Sequence, residues 1–166
     1  MSVDKIYLVG FMAAGKTSLA AALAGRLDWP VRDVDEQIEL REHRPISSIF
    51  AREGELYFRQ VERQVLHDLV PLRHVIVATG GGTFVDPENR ALINADGLSV
   101  WLDAPLSELL ERIPADGRRP LAADRAQMEQ MYEVRRAAYE QAHVRLDASR
   151  VPVEALAEQL CSQLNL

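Results

Sequence analysis

The sequence predicts a three-layer α/β domain around a parallel sheet of five strands. Two observations carry that prediction. Short apolar runs, most of them rich in β-branched residues, alternate with longer stretches whose apolar residues fall three and four apart. That order of short apolar strands and helices indicates βαβ units around a buried parallel sheet. In chain order, Ile6–Val9 is the first strand and runs into Gly10, and the Ala/Leu-rich stretch Thr17–Leu27 is the first helix. Val31–Val34 is the second strand, leading directly into Asp35, and Leu56–Val70 has helical spacing. Val75–Ala78 meets Thr79 and three glycines; Leu98–Leu102 precedes the helical Leu106–Ile113. Met128–Ala142, the strand Val144–Leu146 and the helical Val153–Leu164 complete the alternation. Two stretches fit it poorly. Glu36–Phe58 has broken periodicity and contains Pro45, and Pro114–Arg125 carries Pro114, Gly117, Pro120 and three arginines. Ligands of open α/β sheets sit at the carboxyl ends of the strands, so irregular insertions there are candidate lids or substrate-holding segments.

The chain has 166 residues, about one domain on a scale of ~150 residues each. Residues 1–166 are therefore read as a single domain, with an acceptor-holding segment over about 35–62 and a lid over about 114–125. Cys161 stands alone, which excludes an intrachain disulfide and a cysteine-based metal site. A net charge of −6 leaves no basic footprint for nucleic acid. No apolar run reaches the ~18 residues of a membrane span. The run Ile6–Gly15 after Lys5 has the outline of a signal peptide, but Asp4 cancels Lys5 and Lys16 follows directly. The expected location is the cytoplasm, and an acidic domain without an obvious dimer stripe is expected to be a monomer.

The strongest motif is Gly10-Phe11-Met12-Ala13-Ala14-Gly15-Lys16-Thr17, which satisfies G-x-x-x-x-G-K-[ST] between a strand and a helix. Backbone N–H groups of such a loop and of the following helix, here through Gly10, Ala13, Ala14, Gly15 and Ser18, converge on phosphates. Lys16 then reaches the β- and γ-phosphates, and the Thr17 hydroxyl ligates Mg²⁺. Only two lysines occur in the chain, Lys5 and Lys16, and one of them occupies this position. Neither follows an asparagine, so a guanine-reading N-K-x-D element is excluded and ATP is the expected nucleotide. A mechanical ATPase usually ends a hydrophobic strand in acidic residues; Val75–Ala78 ends in glycines. The chain reads as a small-molecule kinase with a P-loop kinase fold.

Four further clusters resemble the shikimate kinase family. Asp33-Val34-Asp35 is similar to its D-x-D, Gly54 to Glu62 to its G-E-x-x-F-R-x-x-E, Gly80-Gly81-Gly82 to its glycine triplet, and Arg119-Pro120-Leu121 to the start of its lid motif. The resemblance is collinear from Ile6 to about Pro152. It implies ATP and Mg²⁺ as cofactors and transfer of the γ-phosphoryl group to the 3-hydroxyl of shikimate. It further implies that Asp33 helps hold Mg²⁺ while Asp35 contacts the acceptor hydroxyl and takes its proton. Arg59 would grip the acid's carboxylate, oriented by Glu62, and two planar guanidiniums suit a carboxylate because each donates a bidentate pair. Arg135, four residues before Tyr139, resembles the second carboxylate-binding arginine, with Arg136 as a competing alignment. Gly80, Gly81 and Gly82 would let backbone N–H groups approach a small polyol. Phe50 and Phe58 would line its apolar face, Arg119 would close on the transferring group, and Arg112 and Pro152 would flank adenine.

The chain departs from the family at three positions. Ala13 stands where the family usually has glycine; if the position needs φ > 0, alanine costs on the order of 1 kcal/mol. The lid continues with Ala122 where the family usually has a second leucine, and Ala137 occupies a position where the family often has proline. Two rivals remain at this point. One is a P-loop kinase for another sugar acid such as gluconate, and the other is a regulatory nucleotide-binding paralogue that has lost catalysis.

Overall fold

The computed structural model describes residues 2–113 and 122–166. Its five parallel strands are β1 (Lys5–Val9), β2 (Val31–Asp33), β3 (Val75–Ala78), β4 (Leu98–Asp103) and β5 (Val144–Asp147), in the spatial order β2-β3-β1-β4-β5. The central strand β1 pairs with β3 through Lys5–Val75 to Leu8–Ala78 and with β4 through Ile6–Leu98 to Val9–Trp101. All five of its residues are buried. The N-terminal run is thus the middle of the sheet, which accounts for its uninterrupted apolar character better than any targeting role. Among the described residues no helix is long and apolar enough to cross a membrane.

Seven helices surround the sheet among the described residues: α1 (Lys16–Leu27), α2 (Val34–Glu42), α3 (Ile46–Leu69), α4 (Pro87–Asp96), α5 (Leu106–Arg112), α6 (Ala122–Tyr139) and α7 (Val153–Leu164). The stretch expected to be irregular after Glu36 is two helices. Its periodicity looked broken because α2 buries only Val34 and Ile38, and because α3 bends at Gly54, where φ is 83° and ψ 177°. An L-residue is strained at that φ, so the family-like glycine supplies the bend. Val34 belongs to α2 rather than to the end of a strand, because Asp33 caps the helix by accepting from the Glu36 N–H at 3.2 Å. The helix α4 was not foreseen from periodicity. Its signals are terminal: Asp86 caps it by accepting from the Glu88 and Asn89 N–H groups, and Pro87 occupies its first turn.

The connection leaving β1 runs towards the β2 edge of the sheet, whereas the one leaving its neighbour β3 runs the opposite way to β4, so the switch point lies between β1 and β3. The crevice outside the carboxyl ends of these strands is where an open α/β sheet binds its ligand. The turns after β1, β2 and β3 all open there.

Candidate active site

A cleft of about 650 Å³ lies at the carboxyl ends of the strands, lined by Met12 to Ser18, Asp33, Asp35, Thr79 to Gly81, Leu102 and Arg112, and closed on one side by Ala148, Val151, Val153 and Leu156. The loop between β1 and α1 turns through three left-handed positions, Gly10 (φ 147°), Ala13 (φ 61°) and Gly15 (φ 97°). Gly10 has a second constraint, since a β-carbon there would fall 2.9 Å from the Leu102 carbonyl oxygen. Ala13 therefore occupies the strained conformation its departure from glycine warned of. Gly15 caps α1 without a side-chain bond, so the N–H groups of the first turn remain available for an anion.

Lys16 folds back over its own loop, donating to the Gly10 carbonyl at 2.6 Å and the Phe11 carbonyl at 2.9 Å. Burial lowers its pKa to about 8, against the opposing pull of Asp35 and Asp33. Thr17 Oγ1 lies 3.4 Å from Asp33 Oδ2, two hard oxygen donors of the kind Mg²⁺ takes together with phosphate and water oxygens. Among the described residues no group of three or more His, Cys, Asp and Glu side chains is placed to hold a metal. Asp35 sits in the first turn of α2, and its pKa is raised to about 6, first by burial and then by Asp33 and Glu62, while Lys16 works the other way. Two carboxylates one residue apart thus have different roles in the fold: Asp33 caps α2 and faces Thr17, and Asp35 is driven towards the protonated form.

The acceptor side is built from α3, α6 and the glycine triplet. Arg59 Nη1 donates to Glu62 Oε1 at 2.9 Å, and Glu62 is 1% exposed. The carboxylate of the pair is therefore buried while the guanidinium stays partly open, unlike a fully solvated ion pair. The Arg59 guanidinium also lies 5.1 Å from the Phe58 ring centroid. Phe58 is 5% exposed and Phe50 40% exposed, with their rings 4.7 Å apart; only Phe50 of the two offers much free surface. Each glycine of the triplet lies against one functional side chain. A β-carbon on Gly80 would come within 2.9 Å of Asp35 Oδ1, one on Gly81 within 2.9 Å of Arg135 Nη1, and one on Gly82 within 2.8 Å of Arg59 Nη1. The triplet therefore makes room for side chains, and the Gly80 N–H is already committed to Thr83 Oγ1 at 3.0 Å.

Arg135 and Arg136 occupy different faces of α6. Arg135 points to Gly81 and lies 5.9 Å from the Phe11 ring. Arg136 turns to Asp103 at 3.8 Å and to the face of Trp101 at 5.5 Å, away from the glycines. Arg112 lines the cleft, donating to the Ala148 carbonyl at 3.0 Å and the Ala14 carbonyl at 3.4 Å, so it ties the phosphate loop to the loop after β5. Pro152 does not line the cleft; its neighbours Val151 and Val153 do, because Pro152 is exposed where it precedes α7. Arg119 and most of the expected lid lie outside the described residues. Sequence reasoning missed Thr83, whose hydroxyl joins Glu62 at 2.8 Å to the Gly80 N–H. A threonine following three glycines carries no signal of its own.

A phosphate loop at the edge of α1, a carboxylate pair at the end of β2 and a facing pair of guanidiniums define a P-loop small-molecule kinase with an anionic acceptor. The chain belongs to the shikimate kinase family, whose sequence model, described as shikimate kinase, matches residues 12–165. A shikimate kinase of Salinibacter ruber is 41% identical over 162 residues, covering 90% of this chain and 79% of the relative. The crystal structure of shikimate kinase from Aquifex aeolicus superposes with a TM-score of 0.88 at 33% identity, over 97% of this chain and 96% of that one. Shikimate kinase from Acinetobacter baumannii in complex with shikimate superposes with a TM-score of 0.91 at 30% identity, over 98% and 93% of the two chains.

Proposed function

We propose that the chain transfers the γ-phosphoryl group of ATP to the 3-hydroxyl of shikimate, giving shikimate 3-phosphate and ADP. The observation that carries this reading is the placement of Arg59 and Arg135 on adjacent glycines, one step along the triplet from the glycine beneath Asp35. A carboxylate held by the two guanidiniums would set the rest of a small ring acid against Asp35 and the phosphate loop. Asp35 accepts the proton of the acceptor hydroxyl as its oxygen bonds to the γ-phosphorus, and the bond from that phosphorus to the β,γ-bridging oxygen breaks to release ADP. Lys16 leaves the Gly10 and Phe11 carbonyls for the β- and γ-phosphates, and the free N–H groups of α1 hold the phosphate oxygens. Thr17 and Asp33 would hold Mg²⁺, which when bound offsets negative charge on the phosphates. Arg119 keeps the role on the transferring group that the family resemblance implies. The single thiol and acidic balance support placing the activity in a reducing cytoplasm.

ADP formation measured with and without shikimate, and with gluconate in its place, tests the reading. Shikimate-dependent turnover absent with gluconate is expected; turnover with gluconate alone would overturn the acceptor assignment. Arg59→Lys keeps the charge but loses the fork, and is expected to cost on the order of 1.5–3 kcal/mol in the acceptor's transition state. That corresponds to roughly a ten- to hundred-fold loss in kcat/KM for shikimate, with ATP affinity unchanged.

A further inference from the structure

We infer that Thr83 is a positioning residue that holds the carboxylate clamp and the acceptor-hydroxyl site in one register, an inference that rests on the proposed acceptor. Thr83 begins the short 3₁₀ turn Thr83–Val85 behind the glycine triplet and is 0% exposed. Its hydroxyl has two partners within reach. Gly80 N–H can only donate, and does so to Oγ1 at 3.0 Å. The single hydroxyl proton is therefore free for Glu62 Oε2, 2.8 Å away. Glu62 Oε1 meanwhile accepts from Arg59 Nη1 at 2.9 Å. A continuous chain of three hydrogen bonds thus runs from Arg59 through Glu62 and Thr83 to the Gly80 backbone.

The far end of that chain reaches the other half of the acceptor site. Gly80 lies directly beneath Asp35, with room for no β-carbon between them. Thr83 itself is pinned from behind, since its N–H donates to the Gly80 carbonyl at 3.2 Å and its own carbonyl accepts from the buried Asn89 amide at 3.2 Å. The hydroxyl therefore sets two distances at once: where Glu62 holds Arg59, and where Gly80 supports Asp35. Valine has the shape of threonine without the hydroxyl. In its place, Glu62 Oε2 would be buried without a partner and the half-buried Gly80 N–H would lose its own, and each would move to find one.

Steady-state kinetics of Thr83→Val and Thr83→Ser against the native chain test this. The native chain in the same assay reports on the acceptor reading: no shikimate-dependent ADP formation would sink that reading, whatever the variants do. Given such turnover, Thr83→Val is expected to raise the shikimate KM about tenfold and to lower kcat several-fold. KM for ATP should stay within about twofold, because the chain of hydrogen bonds does not touch the phosphate loop. Thr83→Ser restores the hydroxyl and should recover most of both losses, although it removes a methyl group. In an Arg59→Lys background, Thr83→Val should add little to the shikimate KM, since the two share one network. A purely structural role predicts equal losses for both substrates and no recovery with serine, and either result overturns the inference. So does a folded Thr83→Val protein with a native shikimate KM. Should Thr83→Val not fold, amide exchange in the native chain decides: the Gly80 N–H should be protected and more so with shikimate, and exchange as fast as an unbonded loop amide would overturn the inference.

Discussion

Gly82 lies against the guanidinium of Arg59 so closely that a β-carbon on it would stand 2.8 Å from Nη1. Its backbone does not need a glycine, for φ is −97° and ψ −9°, a conformation open to any residue. Space is the constraint. Gly82→Ala is therefore expected to leave thermal stability unchanged or slightly raised, because alanine reduces the freedom of the unfolded chain. The methyl group displaces the flexible end of Arg59, and the shikimate KM should rise roughly tenfold or more, the scale of a lost charged hydrogen bond. Calorimetry beside substrate kinetics checks the separation. A large drop in melting temperature would mean that the triplet serves the fold and not the clamp.

Ala13 supplies the opposite case, a position whose backbone favours glycine but lacks it. At φ 61° its β-carbon is strained. Replacing a left-handed alanine by glycine relieves more than the added flexibility of the unfolded chain costs, so Ala13→Gly should stabilise by on the order of 1 kcal/mol. For a chain of this size that is about 2–4 °C in melting temperature. A decrease on scanning calorimetry would show that the loop tolerates alanine at no cost.

Lys5, the second lysine, is 0% exposed at the start of β1, the end of the sheet away from the cleft. Its Nζ is 2.6 Å from Asp96 Oδ2 and donates to the Leu69 carbonyl at 2.6 Å. Tyr7 OH and Arg73 share the same carboxylate, at 2.6 and 3.1 Å. Removing one partner of a buried pair typically costs about 3–5 kcal/mol; Asp96 keeps two partners, so Lys5→Met should cost about 3 kcal/mol, read from urea unfolding. The kinetic constants of the folded protein should not change. A cost below about 1 kcal/mol would mean the pair is no better than a surface one.

The elements that sequence revealed are those whose cause is local. The strands β1, β3 and β4 were legible because apolar runs in a doubly covered sheet need no partner to be recognised. The half-buried edge strands β2 and β5, which carry charged residues, were legible from their alternation with helices. The phosphate loop was legible because its chemistry fixes spacing. The α2 segment was not, since Val34 and Ile38 are its only buried residues and even its Leu40 faces solvent, so no apolar stripe marks it. Arg135 and Arg136 could not be separated, because neighbouring residues on a helix differ by about 100° of rotation and only the glycine turn and Asp103 decide which rotation faces the cleft. Thr83 could not be found at all: its importance comes from Glu62, twenty-one residues away in sequence.

Asp35 joins activity to stability through one carboxyl. Burial, then Asp33 and Glu62, raise its pKa to about 6 in the folded chain from an ordinary 3.8, while Lys16 opposes and Glu39 adds a smaller upward push. Between those two pH values the native protein holds a proton that the unfolded chain has released, so stability from this group is present at low pH and is lost as pH rises through about 6. At neutral pH the ionised carboxylate is therefore a burden to the fold, on the order of 3 kcal/mol. Asp35→Asn should raise stability by up to that amount at pH 7.5 and by less at pH 5, measured by denaturant unfolding at the two pH values. The same change should lower kcat by ~10²-fold or more, because the acceptor hydroxyl loses its proton acceptor. In the native chain kcat/KM for shikimate should fall about tenfold per pH unit below about 6, and this limb should vanish in Asp35→Asn. Burial of Lys16, with its pKa lowered to about 8, predicts a second fall in kcat/KM for ATP above that pH, as the free enzyme loses the charge its phosphate loop offers. An Asp35→Asn protein that is less stable at pH 7.5 would show that the ionised carboxylate is no burden to the fold, and one that keeps the acidic limb would show that another group is the base.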